Sequence, residues 1–479
     1  MPGKPGSGAV AGWSAAWRND PPGRRHEHPR AQACGATQIQ GDAMNGIAII
    51  GAGWAGLAAA TRLHRAGRAV RVYEAAAAPG GRARPIDHPG LGLTIDNGQH
   101  ILLGAYTSTL SLMRDLAVEP AQGLLARSLT LRSADTRLSL KLWPLPPPLH
   151  ALGVFLGSRG LGGWQGRRHL MRVFSALTPE RIDPAATVSD WLAGLGCPAS
   201  LMIRLWQPLC LAAMNTPART AQARLFARVL ADSLGAGPAA SRLLIPRDSL
   251  HTLWPERICA LLGDDMRRQR IRAIAPASSG GWLVDGIPHE GLILAVPAAE
   301  ARRLLGALPG ADDFLQGWAD PTHSAIGTLT LRLARPWGTR HPMMLLDDDP
   351  THDAWGQWLF DRSASADQET GRHLVHVVIG EADRYAGRNP ARIVRGIIDQ
   401  IRAQAADGSH PPLPEIEAHA LVTEKRATFD AVPALRRPGA ITPWPGLLLA
   451  GDWTDTGYPA VLEGAVRSGL RAADGILTA

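Results

Sequence analysis

The stretch Ile47-Ala48-Ile49-Ile50-Gly51-Ala52-Gly53-Trp54-Ala55-Gly56 decides the fold. Its first four residues are apolar and mostly β-branched, which suits a strand buried in a parallel sheet. The glycines that follow, spaced GxGxxG, each answer a steric demand. Gly51 permits the tight turn, Gly53 lets backbone approach a pyrophosphate, and Gly56 lets the next helix pack close to the strand. That helix is predicted over Leu57 to Arg65, with Gly67 as its C-cap. Its N-terminus offers free N–H groups and the positive end of a dipole, so Gly51, Gly53, Trp54, Ala55 and Gly56 are candidate cofactor-binding residues. The next predicted strand, Ala69 to Tyr73, ends at Glu74, where a carboxylate can accept hydrogen bonds from ribose hydroxyls. GxGxxG alone is a weak signal; strand, turn, helix, strand and acid at this spacing form a strong one.

Pro79-Gly80-Gly81-Arg82 follows Glu74 closely. In isolation it reads as a solvent-exposed turn; beside a nucleotide motif its N–H groups and guanidinium can face phosphates. A second block, Leu449-Ala450-Gly451-Asp452-Trp453-Thr454, stands near the other end of the chain and is followed by Glu463-Gly464-Ala465. Together these pieces resemble the flavin amine oxidase and phytoene desaturase superfamily. The resemblance implies an α/β chain, with a Rossmann-type FAD-binding domain interleaved with an α+β substrate domain of mixed sheet and helices. It also implies that Asp452 meets the ribityl and phosphate groups of FAD, and that a helix beginning near Val461 points its N-terminus at the isoalloxazine. Gly81, Arg82, Gly98, Gly451, Asp452, Val461 and Glu463 join the cofactor-binding set on that ground.

Five inner motifs narrow the resemblance: Asp96-Asn97-Gly98-Gln99-His100, Trp206-Gln207-Pro208-Leu209-Cys210, Asn215-Thr216-Pro217, Glu424-Lys425-Arg426-Ala427-Thr428-Phe429, and Asp452 to Pro459. From Met44 to the C-terminus they are similar to the hydroxysqualene dehydroxylase family of bacterial hopanoid biosynthesis, with Tyr458 standing where that family commonly has Trp. The implied reaction replaces an allylic C–OH by C–H to give squalene, with hydride from N5 of reduced FAD. It needs an acid for the leaving hydroxyl and a dry site. His100 is the first candidate, as an imidazolium at cellular pH; Asp455 and Tyr458 come next. Asp96 reads as a hydrogen-bond acceptor. Gln99, Trp206 and Trp453 are candidate substrate contacts, the two indoles being equally suited to plain core. Glu424-Lys425-Arg426 is either a solvated charge run or part of the site's frame. The alternatives are oxidative desaturation of a carotenoid- or squalene-type isoprenoid, amine oxidation, and flavin-free binding of a prenyl chain.

The chain has 479 residues, 45% hydrophobic and 19% charged, and is long enough for two interleaved domains. Residues 44–104, 241–304 and 421–479 are assigned to the FAD-binding domain, and 105–240 and 305–420 to the substrate domain. The 105–240 segment reads as mainly helical. Strands are expected over Arg270 to Ile274, Gly281 to Val284, Gly291 to Val296, Gly327 to Leu333, Leu374 to Ile379 and Leu447 to Ala450, with a helix over Ala298 to Leu305. Residues 1–43 are rich in Gly, Pro, Ala and Arg and read as a disordered or mis-annotated leader. Cys34, Cys197, Cys210 and Cys259 show no metal or CxxC spacing and are expected as free thiols in a reducing cytoplasm. No histidine spacing suggests a metal site. Formal net charge is +8, but no groove-reading element accompanies it, so nucleic acid is not an expected partner. The stretch from Leu142 to Arg168 mixes Pro, Leu, Phe and Trp with Arg159, Arg167 and Arg168. That composition suits peripheral docking on an anionic membrane, where a C30 isoprenoid resides.

Overall fold

A computed structural model describes residues 45–141, 153, 156–339, 341–363 and 373–478. The leader lies outside the described residues, as do Leu142 to Leu149, Val154 and Phe155 of the proposed docking stretch. A sheet of seven strands carries both ends of the sequence argument. Met266–Arg268, Val70–Glu74, Asn45–Ile50 and Ile287–Leu294 run parallel and side by side, and Leu447–Leu449 pairs parallel with Ile287–Leu294. Trp282–Val284 and Ile274–Pro276 continue it antiparallel. Around Ile47 to Ile50 and Gly291 to Leu294 both faces are buried, which is why these central strands read as unbroken apolar runs. Ile47 and Ile49 enter one core with Leu57, Leu63 and Ile476, while Ala48 and Ile50 enter another with Leu292 and Leu449.

The motif helix is Trp54–Arg65, earlier in start than the predicted Leu57, because Gly53 already serves as its extended N-cap. At the far end Gly67, at φ +74°, follows the C-cap Ala66, and the N–H groups of Gly67 and Arg68 bond back to His64 and Leu63. Of the strand expected over Arg270 to Ile274, only Ile274 is realised, as the first residue of Ile274–Pro276. Asp285 accepts the N–H groups of Arg272 and Ala273 at 2.9 and 2.8 Å, and that capping removes them from sheet pairing.

A second, antiparallel sheet runs in the order Met343–Leu345, Trp358–Asp361, His373–Ile379, His323–Leu333, Ile416–Phe429. Leu329, Leu331, Leu333, Val375 and Val377 pack on one face against the helix Pro390–Asp407. The other face, with Met343, Leu345, Trp358 and Phe360, belongs to the core that contains Trp206 and Leu243. A hairpin of Pro85–His88 and Leu93–Asp96 is seated on Ile416–Phe429 through Leu91, Ile95 and Ala420. Residues 105–240 hold the helices Thr107–Asp115, Gly163–Ser175, Gln207–Met214 and Ala223–Leu230, but also the strands Leu124–Arg127, Thr130–Arg132, Ser139–Lys141 and Ser158–Arg159. These strands are too short for alternation to show in sequence. Among the described residues no helix is long and apolar enough to cross a membrane, and no group of His, Cys, Asp and Glu is arranged to hold a metal.

Candidate active site

The glycine turn is built by contact distances. A Cβ on Gly56 would stand 1.9 Å from the Gly51 carbonyl oxygen, and one on Gly51, at φ +105°, would stand 2.4 Å from that of Ala295. Gly53 is different: a Cβ there would meet only the Gly81 Cα, at 3.8 Å. Packing therefore demands Gly51 and Gly56, whereas Gly53 keeps a space open above the helix N-terminus. No side chain caps that terminus and no acidic residue lies in its first turn. A glycine-walled space facing uncapped N–H groups fits a diphosphate. Glu74 closes the turn from the second strand, its carboxylate accepting from the N–H of Ala52 and of Ala76, each at 2.7 Å. Gly80 donates to the Ala52 carbonyl at 2.8 Å, which brings Gly81 and Arg82 to the same turn.

Arg82 joins the two ends of the chain. Its guanidinium donates to Asp452 at 2.6 Å and to the Ala427 carbonyl at 2.8 Å. Asn97 donates to the Arg82 carbonyl and, at 2.9 Å, to Glu424, so Glu424 belongs to the frame of the site rather than to a solvated run. Arg437 went unread in the sequence. Its buried guanidinium donates to the carbonyls of Thr454 and Tyr458 at 3.1 and 2.8 Å and shapes the whole 452–458 loop. The second Arg of Arg436-Arg437, ahead of Pro438-Gly439, carries no sequence signal for that role.

The last motif is pinned by close packing. Gly451 sits at φ +147°, and a Cβ there would stand 2.4 Å from the Trp453 indole nitrogen. Trp453 donates to the Val296 carbonyl at 2.9 Å and stacks on Trp318, so this indole is core rather than a substrate contact. The helix Leu462–Thr478 starts just after Val461, and its Gly469 lies against the Ala55 carbonyl, where a Cβ would approach to 2.0 Å. Glu463, expected against the cofactor, has its carboxylate committed elsewhere. It accepts from the N–H groups of Ser108 and Thr109, the Thr109 hydroxyl and Arg467, and so caps the helix Thr107–Asp115. Only its backbone remains at the helix start. The Trp54 side chain is likewise core, edge-on to Trp254 at 5.0 Å.

The 96–100 segment runs from the hairpin across the second sheet. Asp96 accepts the Leu250 N–H at 3.1 Å, and burial pushes its carboxyl up to about 6. Gln99 is half-buried and donates to the His100 carbonyl. A Cβ on Gly98 would lie 3.5 Å from the His100 ring and 3.6 Å from the Thr328 hydroxyl, so both side chains face Gly98. Burial pulls the His100 imidazole down to about 4, and its Nδ1 has no partner among the described residues. The expected imidazolium is thereby corrected to a neutral ring, which still donates and accepts hydrogen bonds.

Tyr458 donates its hydroxyl to Asp232, and burial, then that bond, push the phenol up to about 12. Asp455 stands apart, its carboxylate 64% exposed and facing Arg437, which is no place for the acid of a dry site. Trp206 is buried and donates to Nε2 of His169 at 2.8 Å, edge-on to Phe226; it is core as well.

Comparison with known proteins agrees with this arrangement. The family model described as NAD(P)-binding Rossmann-like domain matches residues 49–116, and that described as Flavin containing amine oxidoreductase matches 240–477. The hydroxysqualene dehydroxylase of Rhodopseudomonas palustris is 32% identical over 90% of this chain and 98% of its own. That of Sinorhizobium fredii is 31% identical over 89% and 97%. In fold the chain is similar to the cyclohexylamine oxidase of Brevibacterium oxydans, with a TM-score of 0.63 at 20% identity, covering 91% of this chain and 99% of that one. With its flavin-type nucleotide turn clasped to the C-terminal motif and full-length similarity at this level, the chain belongs to the hydroxysqualene dehydroxylase family.

Proposed function

We propose that this protein is an FAD-dependent oxidoreductase that converts hydroxysqualene to squalene. The observation that carries the reading is the full-length similarity to two hydroxysqualene dehydroxylases in a chain whose flavin frame is intact. The reaction replaces C–OH by C–H, taking up a hydride and a proton and releasing water. Reduced FAD, when bound, supplies the hydride. The chain's own residues do the rest. Gly53 and the N–H groups of Trp54, Ala55 and Gly56 receive the diphosphate, and Glu74 receives the ribose. Gly81, Arg82, Gly451 and Asp452 hold the phosphate and ribityl portion, and the helix start at Val461 and the 98–99 backbone border the ring. His100 acts as a neutral hydrogen-bond donor to the leaving hydroxyl, with the Tyr458–Asp232 pair as the second proton-bearing group. On this reading 44–104, 241–304 and 421–479 serve the cofactor, and 105–240 and 305–420 serve the isoprenoid.

Peripheral membrane docking belongs to the same reading. Between Asp135 and Glu180 the sequence holds no acidic residue but includes Arg137, Lys141, Arg159, Arg167, Arg168 and Arg172. Trp164 is 70% exposed and Leu156 51% in this region, the pairing of indole, aliphatic and arginine that sits at a lipid headgroup layer. The test is direct: the purified protein should carry FAD, and with a chemical reductant it should release squalene from hydroxysqualene in detergent. Release of FAD-free protein, or substrate recovered unchanged by a flavin-loaded one, would overturn the proposal.

A further inference from the structure

Between Arg332 and Glu424, one face of the second sheet is apolar except around Thr328, Thr330 and His376. Side chains alternate along a strand, so Thr328 and Thr330 point away from the Leu329–Leu331 core toward the other face. At the Thr330 level, the cross-strand neighbours are Ala420 on one side and His376, Phe360 and Met343 on the other. At the Thr328 level they are Val422 on one side and Val378, Trp358 and Leu345 on the other. Within this apolar field the polar groups cluster. His376 Nδ1 and the Thr330 hydroxyl are 3.0 Å apart and buried, and the Thr328 hydroxyl and the His100 ring both face Gly98. No hydrogen bond from another described residue engages His376 Nε2. His100 Nδ1 is buried without a partner among the described residues, and a ligand hydroxyl could complete it or meet the unengaged His376 Nε2.

We infer that the Thr330–His376 pair is the seat of the substrate's hydroxyl, with Thr330 fixing the imidazole so that Nε2 meets the oxygen. The apolar side chains of Trp358, Phe360 and Met343 on the neighbouring strands then border the hydrocarbon. A long apolar molecule bearing one hydroxyl is what one polar cluster in such a face fits. Burial pulls the His376 imidazole well down, so the ring is neutral and can pair with an uncharged alcohol. His376 is thus a specificity residue, and Thr330 a positioning residue acting through it. The inference rests on the proposed substrate and refines which residues recognise it.

The experiment compares binding of hydroxysqualene and of squalene to the oxidised holoenzyme, read from the shift of the flavin absorbance in detergent. In the unsubstituted protein the alcohol is expected to bind more tightly. His376→Leu should weaken alcohol binding roughly tenfold or more while leaving squalene binding unchanged, because the lost term is one hydrogen bond in a dry site. His376→Gln should recover part of the discrimination, and Thr330→Val should lose part of it. Should His376→Leu fail to hold FAD, the Thr330→Val ratio decides the matter by itself. An unchanged preference for the alcohol in these variants would overturn the inference and leave the proposed function standing. If the unsubstituted holoenzyme bound neither compound, the substrate reading itself would fall, and this inference with it.

Discussion

The guanidinium of Arg82 meets the carboxylate of Asp452 at 2.6 Å across 370 residues of intervening sequence. One group follows the first nucleotide motif and the other opens the last, so this contact is where the chain closes a single site from both ends. The Asp452 side chain is 7% exposed and that of Arg82 43%, so the pair is sealed on the acid's side and open on the guanidinium's.

Breaking that pair should cost cofactor before it costs fold. Arg82→Met leaves a buried carboxylate without its cation and removes the guanidinium proposed to face the cofactor phosphates. FAD affinity is expected to fall about tenfold, the half-exposed guanidinium keeping the loss below that of a fully buried pair. Flavin retained through gel filtration, read as the ratio of visible to ultraviolet absorbance, checks this. Full retention by Arg82→Met would show that the clasp is not what holds the cofactor.

Two glycines of one turn should behave differently. Gly53→Ala has room for its Cβ and a backbone conformation open to any residue, so the flavin-stripped protein should keep its stability within about 0.5 kcal/mol. Its FAD affinity should nevertheless drop sharply, because the added methyl enters the space facing the helix N-terminus. Gly56→Ala drives a methyl to 1.9 Å from the Gly51 carbonyl and should cost about 1–3 kcal/mol even without cofactor. Thermal unfolding of stripped and loaded forms separates the two effects.

Asp96 sets a pH dependence of stability. Burial raises its folded pKa to about 6 from the ordinary 3.8, so the native state holds this proton more tightly than the unfolded chain does. Its stabilising effect is complete below the unfolded value and is lost as pH rises through the folded one. The loss amounts to about 2 kcal/mol between pH 4 and pH 7. Asp96→Asn cannot ionise, so the stability difference between variant and parent should grow in the variant's favour over that window. Parallel pH curves in urea unfolding would contradict this.

His100, neutral above about pH 4, should add no limb to the kcat/KM profile between pH 5.5 and 8. On the proposed role of a neutral hydrogen-bond donor, His100→Gln should retain turnover within about tenfold, whereas His100→Leu should lose far more. Equal losses in the two variants would assign the ring a packing role.

What the sequence made legible is the part written in local chemistry. GxGxxG and Glu74 encode their geometry through glycine sterics and an end-of-strand acid, so their placement could be argued residue by residue, whereas Gly81-Arg82 and Gly451-Asp452 were placed through the family resemblance. Trp206 and Trp453 were ambiguous because indoles serve core and ligand equally, and only their bonds to His169 and Val296 settle them as core. Glu463 looked like a cofactor contact because it sits in the motif; its true partners, Ser108 and Thr109, are some 350 residues away and no local pattern announces them. Arg437 and the Thr330–His376 pair were silent for the same reason: their meaning lies in contacts between segments distant in sequence.

The most direct test of the central claim is an anaerobic single turnover. Flavoprotein reduced with dithionite and freed of excess reductant is mixed with hydroxysqualene in detergent, and flavin absorbance is followed while product is extracted. The account predicts return of the oxidised spectrum in step with squalene, one squalene per flavin reoxidised. A flavin that stays reduced with hydroxysqualene, yet is reduced from its oxidised form by squalene or phytoene, would contradict it and make the protein a desaturase.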